Sequence, residues 1–179
     1  MVEEAQIQQL VAKAKQQDRV AFAQIYDTFA QQLYNFLLGK LAHKETAEDL
    51  LQTVFLKAWS NLNKYEPRAN AKFSTWLFQI ANFTLIDHWR TRKPTVEINE
   101  IENLVQFAQK PKLYEEYAYL SQALQTLPLA YQTVLDLRFR QDLSVEEAAH
   151  IMNKSRVSIR VLQHRAIRAL RKKLGDKAI

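Results

Sequence analysis

The sequence predicts an all-α fold of two small helical domains joined by a linker, and three observations carry that expectation. Only 2 glycines and 4 prolines occur in 179 residues, too few for the tight turns of an all-β chain. Apolar residues recur three and four apart in most segments, the period of amphipathic helices. Between Pro94 and Pro111 that pattern is lost over a long stretch carrying Glu97, Glu100 and Glu102, which reads as a linker with at most one short helix. The expected domains are therefore residues 1–93 and 114–179, with the linker at 94–113.

Composition narrows the class further. Apolar residues make up 47% and charged residues 25%, enough for packed cores and unlike a disordered chain. With 0 cysteines, disulfides and the commonest zinc ligand are excluded. The start, Met1-Val2-Glu3-Glu4-Ala5, has neither the positive region nor the apolar core of a signal peptide. No apolar run approaches the roughly 20 residues needed to span a bilayer. A cytoplasmic protein without membrane insertion is expected. The net charge of +6 is unevenly spread: Asn153 to Ile179 holds nine basic residues and one acidic, a net +8, which leaves the rest at −2. A basic patch confined to one terminal segment is the footprint of a phosphate-binding surface, although a solvated helix face gives the same count.

In chain order, Glu3 to Lys15 spaces Ile7, Leu10, Val11 and Ala14 as an amphipathic helix. Asp18 can cap a second helix from Ala21 to Phe36. Its Phe22, Ile25, Tyr26, Phe29, Leu33, Phe36 and Leu37 form a broad core stripe, and Gly39-Lys40 mark its stop. Thr46 can cap a third, in which Glu48 and Asp49 suit the positive end of the helix dipole. Leu50, Leu51, Val54, Phe55, Ala58 and Trp59 form its buried face. Asp49 and Gln52, three apart, share a face and can meet one partner surface together. An ordinary capped surface helix fits the same spacing.

No periodicity survives from Asn61 to Lys72, where Tyr65, Glu66, Pro67, Arg68 and Asn70 lie and Pro67 holds Glu66 extended. Phe73-Ser74 then lead into a helix running to about Arg92. Phe73, Trp76, Leu77, Ile80, Ala81, Thr84 and Leu85 form its core face, with Gln79, Asn82, Phe83, Ile86 and Arg90 opposite. An exposed aromatic near Arg90, Arg92 and Lys93 suits stacking on unpaired bases above a phosphate-binding end.

Beyond the linker, Tyr114 to Arg140 reads as two helices broken at Leu127-Pro128, with Pro128 in the first turn of the second. A helix-turn-helix follows. Ser144 and Glu147 form a capping box at the head of Val145 to Met152. Asn153 takes the left-handed turn position where glycine is the usual choice. Ser155 caps Arg156 to Leu174, whose inner face is expected to hold Val157, Ile159, Leu162, Ala166, Ile167 and Leu170. The outer side carries Arg156, Ser158, Arg160, Gln163, His164 and Arg168. The N-terminal residues of such a helix lie on base edges in the major groove, with arginines on guanine and further cations on phosphate.

Catalysis has no such support. His43, His88, His150 and His164 form no metal-ligand motif with carboxylates. With glycine only at positions 39 and 175, neither a P-loop nor a dinucleotide fingerprint can be written. No enzyme, cofactor or metal is expected.

The chain resembles the extracytoplasmic-function sigma factors, the smallest members of the sigma-70 family. The resemblance rests on Ala47-Glu48-Asp49-Leu50, Gln52, Phe55-Leu56-Lys57-Ala58-Trp59, Phe73, Thr75-Trp76-Leu77, Ile80-Ala81, Asp87 and Arg90 for region 2. For region 4 it rests on Leu143-Ser144, Glu146-Glu147, Ala149, Ile151, Ser155 and His164-Arg165-Ala166. It implies core RNA polymerase as partner, through the β′ clamp helices and the β flap, with Glu48, Asp49, Gln52 and Phe55 at the core-binding surface. It further implies promoter DNA. Tyr65, Arg68, Asn70, Phe73, Asn82, Phe83, Ile86 and Arg90 would capture and melt the −10 element. Ser155, Arg156, Ser158, Arg160, Gln163, His164 and Arg165 would read the −35 element. An anti-sigma factor is a further implied partner.

Departures from the family pattern are Thr53 for Glu, Asn82 for Arg, Phe83 for the Asn that helps read the −10 element, Asn153 for Gly, Val157 for Gly, and Leu162 for Arg. One helix residue is about 100° of rotation, so Asn82 does not simply stand in for the missing Asn. The alternative reading is a stand-alone helix-turn-helix regulator, which leaves the acidic helix, loop and aromatic helix without a role.

Overall fold

The computed structural model describes residues 4–41, 43–67, 72–91 and 112–175, and every element among them is helical. They fall into two compact units, the first Met1–Lys93 with His150–Asn153 and the second Pro94–Ala149 with Lys154–Ile179. Arg68, Asn70, Arg92, Lys93 and the expected linker from Pro94 to Pro111 lie outside the described residues.

The first unit contains α1 (Glu4–Lys15), α2 (Arg19–Leu38), α3 (Lys44–Asn61) and α4 (Phe73–Thr91), with a short 3-10 turn at Leu62–Lys64 after α3. Successive helices pack on one another, and α4 also meets α2. Ile25, Leu33, Phe36 and Leu37 of α2 are fully buried, as are Val54 and Ala58 of α3 and Phe73, Leu77 and Leu85 of α4. Each large side chain buried in this way stabilises the fold by about 1.5–3 kcal/mol. Phe36 meets Phe78 edge to face at 5.3 Å, so Phe78, absent from the expected core face, is a central residue.

Caps set the ends of these helices. Asp18 accepts from the backbone N–H of Val20 at 2.9 Å and of Ala21 at 3.0 Å, so α2 starts at Arg19, two residues earlier than expected. The cap of α3 is His43, not Thr46. That helix starts three residues early, at Lys44, which moves Thr46 inside its first turn. Gly39 ends α2 in right-handed backbone with φ −62°, so no left-handed glycine stops this helix. Instead the buried Lys40 donates its Nζ to the Phe36 carbonyl at 2.8 Å, satisfying a carbonyl at the negative end of the helix.

The second unit contains α5 (Lys112–Gln125), α6 (Leu129–Leu135), the larger part of α7 (Val145–Met152) and α8 (Arg156–Leu174). Pro128 stands just before α6 at its cap position, one place outside the expected first turn. Both α5 and α6 pack on α8, burying Leu127, Val134, Ile159 and Ala166. After α6 the backbone widens into a π-helical stretch, Asp136–Arg140, in which the Gln141 N–H reaches back to the Asp136 carbonyl at 3.0 Å. This stretch, which carries Arg138, replaces the regular helix expected there.

Candidate nucleic-acid and partner interfaces

The helix-turn-helix is built by local chemistry. Ser144 donates its N–H to the Glu147 carboxylate at 2.8 Å, and the Glu147 N–H donates to Ser144 Oγ at 3.1 Å, a reciprocal capping box. Asn153 has φ 51°, the left-handed backbone that a turn between two helices needs. Ser155 Oγ accepts from the Ser158 N–H at 3.1 Å and starts α8. From that start Ser155, Arg156, Ser158, Arg160, His164, Arg165 and Arg168 are all exposed.

Two side chains of this face are already engaged within the unit. Arg156 pairs with Glu146 of α7 at 3.0 Å. Gln163, half-buried, accepts from Arg138 Nε at 3.2 Å, while Arg138 Nη1 donates to the Leu143 carbonyl. Gln163 thus braces α8 against the preceding turn, where a free base reader was expected. Val157 corrects the reading of the inner face, because it is 67% exposed. Only Ile159 and Ala166 of α8 are fully buried, and at about 100° per residue Val157 lies on the opposite side of the helix from both.

On α3, Glu48, Asp49 and Gln52 are exposed, and Glu48 pairs with Lys44 at 3.5 Å. Phe55 is a core residue. It is 4% exposed and held between Phe22 at 6.3 Å and Tyr26 at 4.5 Å, so it supports the outer face without forming part of it. Leu56 is 68% exposed. It lies four residues after Gln52 and seven after Asp49, on their face of the helix. The sequence reading missed it, though that spacing was the available signal.

The loop before α4 is tied at both ends. Tyr65 is 4% exposed and Phe73 wholly buried. Their rings meet at 5.0 Å, and both pack on Trp76, at 5.2 and 5.4 Å. Both rings are covered by this packing. Their expected place among the DNA contacts is corrected to an anchor that fixes the loop's ends, since an aromatic flanking a polar loop gains more by burial than by exposure. The first helix tightens this anchor: Gln8 donates to the Tyr65 hydroxyl at 3.1 Å, and Glu4 accepts from the Phe73 N–H at 3.4 Å. That carboxylate sits at the positive end of α4. Burial holds the Tyr65 phenol above its ordinary pKa, the Gln8 hydrogen bond partly opposing and the Glu4 charge adding to the rise.

Along α4, Phe83 is 41% and Trp89 43% exposed. Arg90 is exposed and Ile86 half-buried. Asn82 is 3% exposed, on the helix line of the buried Thr75 and Phe78, so it does not share the outer face with Phe83 as the sequence reading had it. Lys57 of α3 holds this part of α4 in place, donating to Thr84 Oγ1 at 3.2 Å and standing 3.9 Å from Asp87.

A capped helix-turn-helix with a basic outer helix defines the second unit as a DNA-binding module. Residues 25–95 match Sigma-70 region 2 and residues 123–172 match Sigma-70, region 4. The chain belongs to the extracytoplasmic-function RNA polymerase sigma factors of the sigma-70 family. It is 32% identical over 187 residues to the ECF RNA polymerase sigma factor SigW of Bacillus subtilis, covering 97% of this chain and 99% of that one. To the ECF RNA polymerase sigma factor SigM of the same organism it is 34% identical over 152 residues, 83% of this chain and 91% of the relative. Among solved structures it resembles CnrH in complex with the cytosolic domain of CnrY, with a TM-score of 0.73 at 22% identity over 98% of this chain and all of that one. It also resembles the sigma factor RpoE of Bartonella quintana in complex with the anti-sigma factor NepR, with a TM-score of 0.67 at 24% identity over 87% and 98% of the two chains. At those identities the likeness carries the fold alone. The chain is an alternative sigma factor, a non-enzymatic protein with which RNA polymerase starts transcription at chosen promoters. No helix among the described residues is long and apolar enough to cross a membrane.

Proposed function

We propose a division of labour among three exposed surfaces. The α3 face of Glu48, Asp49, Gln52 and Leu56 docks on the β′ clamp helices of core RNA polymerase. The outer side of α4, with Phe83, Ile86 and Arg90, takes the displaced strand of the −10 element, joined by Arg68 and Asn70 of the preceding loop. Helix α8 enters the major groove of the −35 element through Arg156, Ser158, Arg160, His164 and Arg165, and the second unit meets the β flap. RpoE of Bartonella quintana is bound by the anti-sigma factor NepR, and a protein antagonist of that kind is expected for this chain too, in the cytoplasm.

The observation that carries the reading is the outer face of α8. Its cations are solvent-exposed directly after a built cap, as a helix that neutralises phosphates and reads bases requires. A stand-alone regulator would use the same helix, but it gives no role to the exposed Asp49-Gln52-Leu56 face and none to the region 2 match over residues 25–95.

Purified core polymerase tests the proposal. Combined with this chain, core should start transcripts at the promoters whose start sites respond to overexpression of the chain. Arg160→Ala should weaken recognition of the −35 duplex by about 1–3 kcal/mol with loss of base preference there. A chain that does not bind core, or a holoenzyme that initiates nowhere, refutes it. Tight sequence-specific duplex binding without polymerase would favour the regulator.

A further inference from the structure

Val157 and Val161 form an apolar strip on the outside of α8, 67% and 45% exposed. They are one helical turn apart, so their side chains are neighbours. Around them stand Arg156, Ser158, Arg160, His164 and Arg165, all exposed. Neither valine belongs to the buried core. A β-branched side chain loses rotamer freedom in a helix, and at this exposure little apolar burial offsets that loss.

Position says what the strip meets. With Arg156 the first residue of α8, Val157 is the second, in the turn that a recognition helix presents to base edges. The one apolar group on a major-groove base edge is the C5-methyl of thymine. Arg156, the residue before Val157, pairs with Glu146 of α7 at 3.0 Å, and Val157 itself is 67% exposed. The flanking guanidiniums supply the attraction to phosphate that brings the strip into a groove.

We propose that Val157, with Val161 behind it, reads a thymine methyl in the −35 element and is a specificity-determining residue of this chain. The inference rests on the assignment of α8 to the −35 element and goes beyond it by naming the residue and the base group.

The test uses holoenzyme reconstituted from core polymerase and the full chain. The probe is a duplex covering the −35 region of a promoter mapped by its transcript start. Each thymine is replaced in turn by deoxyuridine, which lacks only the methyl. One replacement should weaken binding about fourfold, the equivalent of about 0.8 kcal/mol for one buried carbon group. Val157→Ala should bind the unmodified duplex less tightly by a similar factor and no longer distinguish thymine from deoxyuridine at that position. Alanine is a better helix former than valine, so the variant keeps α8 intact. Wild-type holoenzyme indifferent to every deoxyuridine, or a Val157→Ala protein that keeps the discrimination, overturns the proposal. Loss of affinity of Val157→Ala for core polymerase, with discrimination unchanged, would hand the strip to a protein partner and equally overturn it. If the unmodified promoter gives no transcript, the assignment of function itself has failed; transcription with no deoxyuridine effect removes only the role of Val157.

Discussion

Arg138→Ala separates the second unit from the first in one experiment. The Arg138 guanidinium donates to the Leu143 carbonyl in the turn before α7 and to Gln163 on α8 at 3.2 Å. It therefore joins the π-helical stretch, the turn and α8. A hydrogen bond to a charged group is worth about 1.5–3 kcal/mol. Arg138 is only half-buried, so the lower end applies and the two bonds together come to about 3 kcal/mol. Trp59, Trp76 and Trp89 are the 3 tryptophans of the chain, and all lie in the first unit. Tryptophan emission during urea unfolding then follows the first unit, whereas far-ultraviolet circular dichroism follows both. Two units call for two probes, since a single two-state fit does not describe them. At a slope of about 1–3 kcal/mol per molar urea, the dichroism transition of the second unit should move down by roughly 1–3 M while the emission transition stays in place. Arg138→Lys, which can restore one bond but not the fork, should fall between. An unmoved dichroism transition would show that the brace contributes nothing, and equal movement of both would show that it is not confined to the second unit.

Three further predictions use the same readouts. Thr133 is 1% exposed, and its hydroxyl has no hydrogen-bond partner among the described residues, so Thr133→Val should raise the stability of the second unit by about 1 kcal/mol; a lower dichroism midpoint would contradict this. Tyr65 has its pKa raised by burial, so above its ordinary value of about 10 the folded state holds a proton that the unfolded state has lost. Stability should be intact below that pH and fall as pH rises through the folded pKa. Tyr34 acts in the same direction, so Tyr65→Phe should reduce the alkaline loss without abolishing it, and identical pH profiles by tryptophan emission would rule out the Tyr65 contribution. Asp49, exposed on α3, should be dispensable for folding, and Asp49→Ala should lower affinity for core polymerase in a pull-down titration with the emission midpoint unchanged; unaltered affinity removes Asp49 from the interface.

Features that depend on a few neighbouring residues were open to sequence reading. The Asp18 cap, the Ser144-Glu147 box, the left-handed Asn153 and the Ser155 cap all appear as the local chemistry requires. Which side of a helix is covered is a different matter, because that depends on the neighbour's width. Periodicity puts Phe55 and Phe73 on core faces while the resemblance puts them at functional surfaces, and both are core. In the first unit four helices pack together and cover most of each apolar stripe. In the second, α8 buries only Ile159 and Ala166 completely, and Val157 falls on roughly the opposite side of the helix from both at about 100° per residue, so the helical period itself puts it in solvent. How much of each apolar stripe is covered completely is a property of the assembled unit.

Phe83 and Val157 follow from the same reasoning. Both are departures from the family pattern, and both are solvent-facing apolar residues, 41% and 67% exposed. Each stands on the helix of its unit that is proposed to meet DNA. Isolated exposed apolar residues are common and need no explanation, but these two sit among cations, Arg90 on α4 and Arg156 and Arg160 on α8. A phenyl ring can stack on any unpaired base without a hydrogen-bond code, and a valine distinguishes thymine from the other bases by one methyl. Polar readers at the same places would demand donors and acceptors in fixed positions. The combination therefore points to a −10 element captured by stacking with little sequence demand, and to a −35 element in which a thymine carries part of the choice. Randomising each element separately and sequencing the transcripts that holoenzyme starts would show whether the information is divided in that way.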